Sequence, residues 1–179
     1  NVWVNTKEIA GNNKDDDGNG YIDDINGWNA YMNNGQVDSD RHGTHVAGII
    51  GAQGNNGIGI IGVNWKVKIM GVSLFDFSTT EVLRAYNYVL KQKKVWLESN
   101  GAIGANVVAT NSSFGVDRAD CNSEDYPMWN DLYNKMGEVG ILSSTATINA
   151  GIDVDEIGDV PTGCSSDYLV TVTNTTIEN

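Results

Sequence analysis

Residues 40–48 read Asp40-Arg41-His42-Gly43-Thr44-His45-Val46-Ala47-Gly48, and both histidines of the 179-residue chain lie within them. An imidazole titrates near neutrality, so it can take a proton and return it within one reaction cycle. Gly43 lets backbone and a substrate pass close to the His42 ring. Beyond Thr44 the residues Val46, Ala47, Ile49 and Ile50 are apolar, with Gly48 and Gly51 interleaved. That pattern predicts a buried helix packed tightly on a neighbour, with His42 at its N-terminal mouth. Three readings of the histidines compete. His42 is a general base; or His42 and His45, three apart on one helix face, bind a metal; or both are incidental to a helix start. Zinc would want a third ligand at a recognisable spacing, and none is evident. The roles that these residue types can fill favour the base.

His42-Gly43-Thr44-His45-Val46-Ala47-Gly48 resembles the catalytic-histidine segment of the subtilisin-like serine proteases, the subtilase family. Two later segments carry the same resemblance. Asn111-Ser112-Ser113-Phe114-Gly115 is similar to the family's substrate-binding edge. The resemblance implies that Ser113, Phe114 and Gly115 pair with a peptide main chain, while pockets select side chains. Read alone, the segment is equally an ordinary strand end with a glycine. Ala146-Thr147-Ile148-Asn149-Ala150-Gly151 is similar to the family's oxyanion segment, usually Ala-Ala-Gly-Asn. Thr147-Ile148 in place of Ala-Gly implies a reshaped pocket wall beside Ala146. The resemblance makes the Asn149 amide the donor to the oxygen that becomes negative in the tetrahedral intermediate. Read alone, an Asn before Ala-Gly is a turn residue.

The first 40 residues are polar and rich in Asn, Asp and Gly. Asp15, Asp17, Asn19 and Gly20 match positions 1, 3, 5 and 6 of a calcium loop of the EF-hand type. Tyr21 would offer its carbonyl, and Asp23 or Asp24 the remaining charge. Position 12 is Asn26 rather than Glu, and no helix pattern precedes the loop, so this is not a full EF-hand. Subtilases often carry a calcium-binding acidic loop at this place, and Trp3-Val4-Asn5, Glu8-Ile9 and Asn26-Gly27-Trp28-Asn29 around it also resemble the family. A solvated acidic loop is the alternative. The Gly-rich stretch 52–64 forbids a stable helix. It corresponds to a second calcium loop of the family, whose ligands would map onto Asn56, Ile58 and Ile60; without the family it reads as a crossover loop.

The pattern elsewhere predicts alternating strands and helices. Strands are expected over Val67–Val72, Ala105–Asn111, Ile141–Thr147 and Tyr168–Thr173. Ser78-Thr79-Thr80-Glu81 is a capping box before a helix running to about Trp96. A second helix is expected over Met128–Val139, with Trp129, Leu132, Tyr133 and Met136 on one side. This implies an α/β fold, a three-layer, mostly parallel sheet with helices on both faces and one domain over 1–179. Active sites of such sheets lie at the carboxyl ends of the strands.

A net charge of −12 argues against nucleic acid and suits calcium. No apolar run is long enough to span a membrane. The chain begins Asn1-Val2 with no leader-like segment, which predicts a trimmed product, secreted or at the cell surface or periplasm. Cys121 and Cys164 are either two free thiols or one bridge closing a loop of about 40 residues, contributing roughly 3–4 kcal/mol. A Ser-His-Asp protease also needs a nucleophile and an orienting carboxylate. The family's Asp strand and its Gly-Thr-Ser segment have no match in the sequence. The resemblance therefore implies the central part of a subtilisin-like catalytic domain, completed by other segments of a parent protease and acting on peptides or proteins. Alone, the chain is expected to be inactive. Rival readings are a calcium-stabilised binding module without a triad, and a metal-dependent hydrolase using His42 and His45.

Overall fold

The computed structural model describes residues 1–126, 128–175 and 177. They form two compact units, Asn1–Ala105 and Asn106–Asn179.

The first unit contains β1 (Gly27–Asn29), α1 (Arg41–Gly51), β2 (Gly71–Ser73) and α2 (Thr79–Glu98). β1 and β2 are parallel, with Gly27 opposite Gly71 and Asn29 opposite Ser73. Gly27 has φ +140°, and a Cβ there would stand 1.7 Å from the Gly71 carbonyl oxygen, so only glycine lets these strands meet. α2 lies against β1. Its apolar face buries Val82, Ala85, Tyr86, Val89 and Leu90. Ser78 caps it by accepting from the Glu81 N–H at 3.4 Å. The Glu81 carboxylate does not return to Ser78. It accepts the N–H groups of Phe75, Asp76 and Phe77 at 2.6, 2.9 and 3.0 Å and so fixes the turn that enters the helix.

The expected helix after residue 40 is present, but it is not a buried one. Only Gly51 of α1 is buried, and Ile49 is 61% exposed. Apolar composition states what a helix can bury; which surface covers it depends on residues elsewhere. The expected strand over Val67–Val72 is likewise shorter and half-buried: β2 spans three residues, and Ile69 makes only an isolated parallel bridge to Val2.

The second unit contains β3 (Ala109–Ser112), β4 (Val116–Asp117), α3 (Trp129–Glu138), β5 (Leu142–Ala146), α4 (Val154–Ile157), β6 (Asp159–Val160) and β7 (Leu169–Val172). β3, β5 and β7 form a parallel sheet with β5 central. α3 packs on β5 and buries Trp129, Leu132, Tyr133 and Met136, the face expected from the 3.6-residue period. β4 and β6 form a two-residue antiparallel ladder that the sequence pattern did not suggest. Cys121 and Cys164 are joined as a disulfide with Cα atoms 5.1 Å apart. Among the described residues no helix is long and apolar enough to cross a membrane.

Candidate active site and cation loop

In the second unit, the carboxyl ends of β3 and β5 stop side by side. Ser112 pairs with Thr145, the last rung of that ladder. Ser113, Phe114 and Gly115 leave β3 next to Ala146, and Thr147 to Asn149 leave β5. Both segments therefore open at one edge of the sheet, the place where parallel α/β sheets put their ligands. Asn149 is exposed and Ala146 half-buried. Thr162 donates to the Ala146 carbonyl at 3.1 Å, which steadies the strand end.

Asp159 ties the two segments together, and nothing in the sequence pattern singled it out. Its carboxylate is buried and accepts the Ile148 N–H at 2.9 Å, one residue before Asn149. Its neighbour Val160 faces Val116 across the β4–β6 ladder. A Cβ on Gly115 would come within 2.6 Å of the Val160 carbonyl oxygen, so the glycine is required by this close backbone approach. The clue available in sequence was an acidic residue just before Val160-Pro161, too common a feature to stand out.

His42 is the second residue of α1, and both His42 and His45 are exposed. Asp40 caps the helix by accepting the Gly43 N–H at 2.7 Å. That bond, with further help from the His42 N–H and the His42 charge, holds the Asp40 carboxyl below its ordinary range. Helix capping thus sets the orientation of the turn that carries His42.

The acidic loop is organised by its own carboxylates. Asp15 accepts the N–H groups of Gly18, Asn19 and Gly20 at 2.7, 3.1 and 2.9 Å, and Gly20 takes φ +96°. Asp17 accepts the Asn19 N–H at 2.9 Å, and the Asn19 side-chain oxygen accepts the Tyr21 N–H at 2.7 Å. Carboxylate oxygens of Glu8, Asp15 and Asp17 all lie within 4.8 Å of one another. Ligands on opposite sides of a calcium ion stand about 4.6–5.2 Å apart, twice a bond of 2.3–2.6 Å. The donor set is all oxygen and acidic, so its chemistry fits that ion. Glu8 replaces the expected Asp23 in this trio. Asp23 instead accepts the N–H groups of Gly11, Asn12 and Asn13 and shapes the turn beside it. Glu8 lies outside the loop motif and is held by the N–H groups of Asp16, Asp17 and Asp23. Asp24 is fully buried, and burial pushes its pKa up to about 6, against hydrogen bonds from Tyr88, Asn5 and Asn19 that lower it.

In the 52–64 loop, the Asn56 side-chain oxygen accepts the Ile58 N–H at 3.0 Å. Ile58 and Ile60 are exposed. No grouping of three acidic or sulfur and imidazole ligands forms around these residues, or around His42 and His45, among the described residues.

A family model described as the subtilase family matches residues 3–179. The chain belongs to the subtilase family. The subtilases are serine proteases, and the match places this sequence within their catalytic-domain region. Its parallel strands and helices accord with part of the three-layer α/β subtilisin-like fold. The chain is 31% identical to subtilisin-like protease 1 of Plasmodium berghei (strain Anka) over 166 residues, which are 89% of this subtilase chain and 24% of the relative. It is 51% identical to subtilisin-like protease 1 of Plasmodium vivax over 78 residues, 42% of this chain and 12% of the relative. It is 52% identical to the cell wall-associated protease of Bacillus subtilis (strain 168) over 44 residues, 25% of this chain and 5% of the relative. The chain thus spans a quarter or less of the length of these curated relatives.

Proposed function

We propose that this sequence is the central part of the catalytic domain of a secreted or cell-surface serine endopeptidase. The observation that carries the reading is the His-Gly-Thr-His-Val-Ala-Gly segment at the start of α1, within a family match that runs from residue 3 to 179. His42 takes the proton from a serine hydroxyl as it attacks the peptide carbonyl, then returns it to the leaving amine. Asn149 donates its side-chain amide to the oxyanion. Ser113, Phe114 and Gly115 hold the substrate main chain, and Ala146 lines the adjoining pocket. The nucleophilic serine and the carboxylate behind His42 come from other segments of the parent domain, because the sequence has no Gly-Thr-Ser. Extracellular placement draws support from the name of the Bacillus cell wall-associated relative and from the disulfide.

The loop holding Glu8, Asp15 and Asp17 binds calcium as a structural ion in this reading, with Asn19 and the Tyr21 carbonyl completing the donor set. Its contribution is to fix residues 5–24 against the rest of the first unit. The ion takes no part in peptide cleavage.

A fluorophosphonate serine probe on the full protein tests the protease reading. Covalent labelling that is lost in His42→Ala, and a kcat lowered by about 10²–10³ in Asn149→Ala, are the expected results; that magnitude is the known cost of removing such a donor in subtilisin. A full protein that carries a Gly-Thr-Ser segment yet takes no label, and cleaves no peptide, overturns it in favour of a binding module.

A further inference from the structure

We propose that Asp24, Tyr88 and Gln92 form an anchor that holds the acidic loop in its ion-binding shape, with α2 as its rigid backing. The inference rests on the calcium reading above. Asp24 is the one loop carboxylate that is fully buried. Its Oδ1 accepts from the Asn5 amide at 2.9 Å. Its Oδ2 accepts from the Asn19 amide at 3.1 Å, the Tyr88 hydroxyl at 2.9 Å and the Gln92 amide at 2.6 Å. Three donors converge on Oδ2 and one on Oδ1, so every bond this carboxylate makes is to a side chain that it holds in place. Asp24 lies outside the Glu8, Asp15 and Asp17 grouping, and its part is to orient the groups that form it.

The same two asparagines reach the ligand trio. Asn5 and Asn19 each donate a second hydrogen to Asp17 Oδ2, at 3.0 and 3.3 Å. Asp17 is therefore tied through Asn5 and Asn19 to Asp24, and Asp24 to two residues one turn apart on α2. Tyr88 is fully buried, its ring edge-on to Tyr21 at 4.7 Å and stacked on Trp28 at 5.9 Å. Gln92 is also fully buried. A loop alone would have to order its ligands at the moment of binding. Backed by a 20-residue helix, it meets the ion with that ordering already done. Partners that orient a ligand without touching the ion commonly set metal affinity by 10- to 100-fold.

The test measures calcium affinity by titration calorimetry, and terbium luminescence sensitised by the nearby Tyr21 ring, on the full protein. Each variant is kept at a temperature where circular dichroism reports it folded. Asp17→Ala, a ligand change, abolishes both signals. Tyr88→Phe, which removes one hydroxyl, and Asp24→Ala each weaken calcium about 10- to 100-fold. Asp24→Asn recovers part of the loss, because it keeps one acceptor for Tyr88. Should Asp24→Ala fail to fold, Tyr88→Phe carries the test. Wild-type affinity in both Tyr88→Phe and Asp24→Ala, with binding still lost in Asp17→Ala, overturns the anchor and leaves the calcium site standing. Lower metal-free stability with unchanged affinity overturns it too, reducing Asp24 to a packing role. No binding by the wild type removes the calcium reading itself, and the anchor with it.

Discussion

The buried Asp159 carboxylate receives the N–H of Ile148 at 2.9 Å. Asn149 follows directly, so its backbone is aimed by a buried acid on a neighbouring strand. Removing that acid in Asp159→Ala leaves the Ile148 N–H without its partner and loosens the turn that carries Asn149. In the protease proposed above, kcat should fall about 10- to 100-fold, since small misplacements of a positioned group cost that much. The double variant with Asn149→Ala should lose little more than Asn149→Ala alone, because both changes remove one function. Multiplicative losses in steady-state kinetics would show that Asp159 acts elsewhere. Neither Asp159 nor Glu8 was legible in the sequence in its observed role, although Glu8-Ile9 was part of the family resemblance. Each is an isolated acid brought to its site by a turn or a ladder formed with distant residues. By contrast, His42 and Asn149 stand in segments whose local spelling carries the resemblance, and Asp15, Asp17 and Asn19 stand at alternate loop positions that can converge by themselves.

Elements were legible in proportion to how much of their pattern is local. α2 and α3 have apolar residues at helical spacing, and both helices appear, α3 with the expected buried face. β5 and β7 appear inside the expected strands but trimmed, and β3 starts four residues late and runs one residue past its expected end, since a ladder ends where its partner ends. β4 and β6, two residues each, have no period to read. The start of α2 is a further case: the capping motif was recognisable, but the three N–H groups that Glu81 receives were not. Glu81→Gln leaves at least one of those part-buried donors facing an amide nitrogen. It should cost about 1–3 kcal/mol in urea unfolding, against a smaller loss for Ser78→Ala, whose cap bond is long. For α1 the expectation concerns pH. Asp40 has a depressed pKa in the fold, so its charge stabilises the helix start above the ordinary aspartate range of about 3.9, and that contribution fades as pH falls through the lower folded value. The stability difference between wild type and Asp40→Asn, which keeps the cap oxygen but not the charge, should be full at pH 7 and shrink as acid protonates the carboxylate. A difference that persists in acid would mean that the charge is not what matters.

At the scale of the whole molecule, an ion that binds only the folded first unit must raise its stability by mass action. At a hundredfold excess over its dissociation constant, calcium should add about 2.7 kcal/mol, and chelation should lower Tm accordingly. Asp17→Ala should melt at the chelated temperature with or without calcium; a variant still protected by the ion would exclude Asp17 from the site. The second unit is secured differently. The Cys121–Cys164 bond spans 43 positions, and the β4–β6 ladder pairs Val116 with Val160 a few residues outside and inside that span. α3, β5 and the Asn149 segment all lie between the two cysteines. They are thus part of a closed covalent ring. A single backbone cut anywhere within that ring opens it without freeing a piece: the nicked protein would run as one band until reduced, then as two. Where a protease cuts within the ring, the bridge turns what would be a severed chain into a merely notched one.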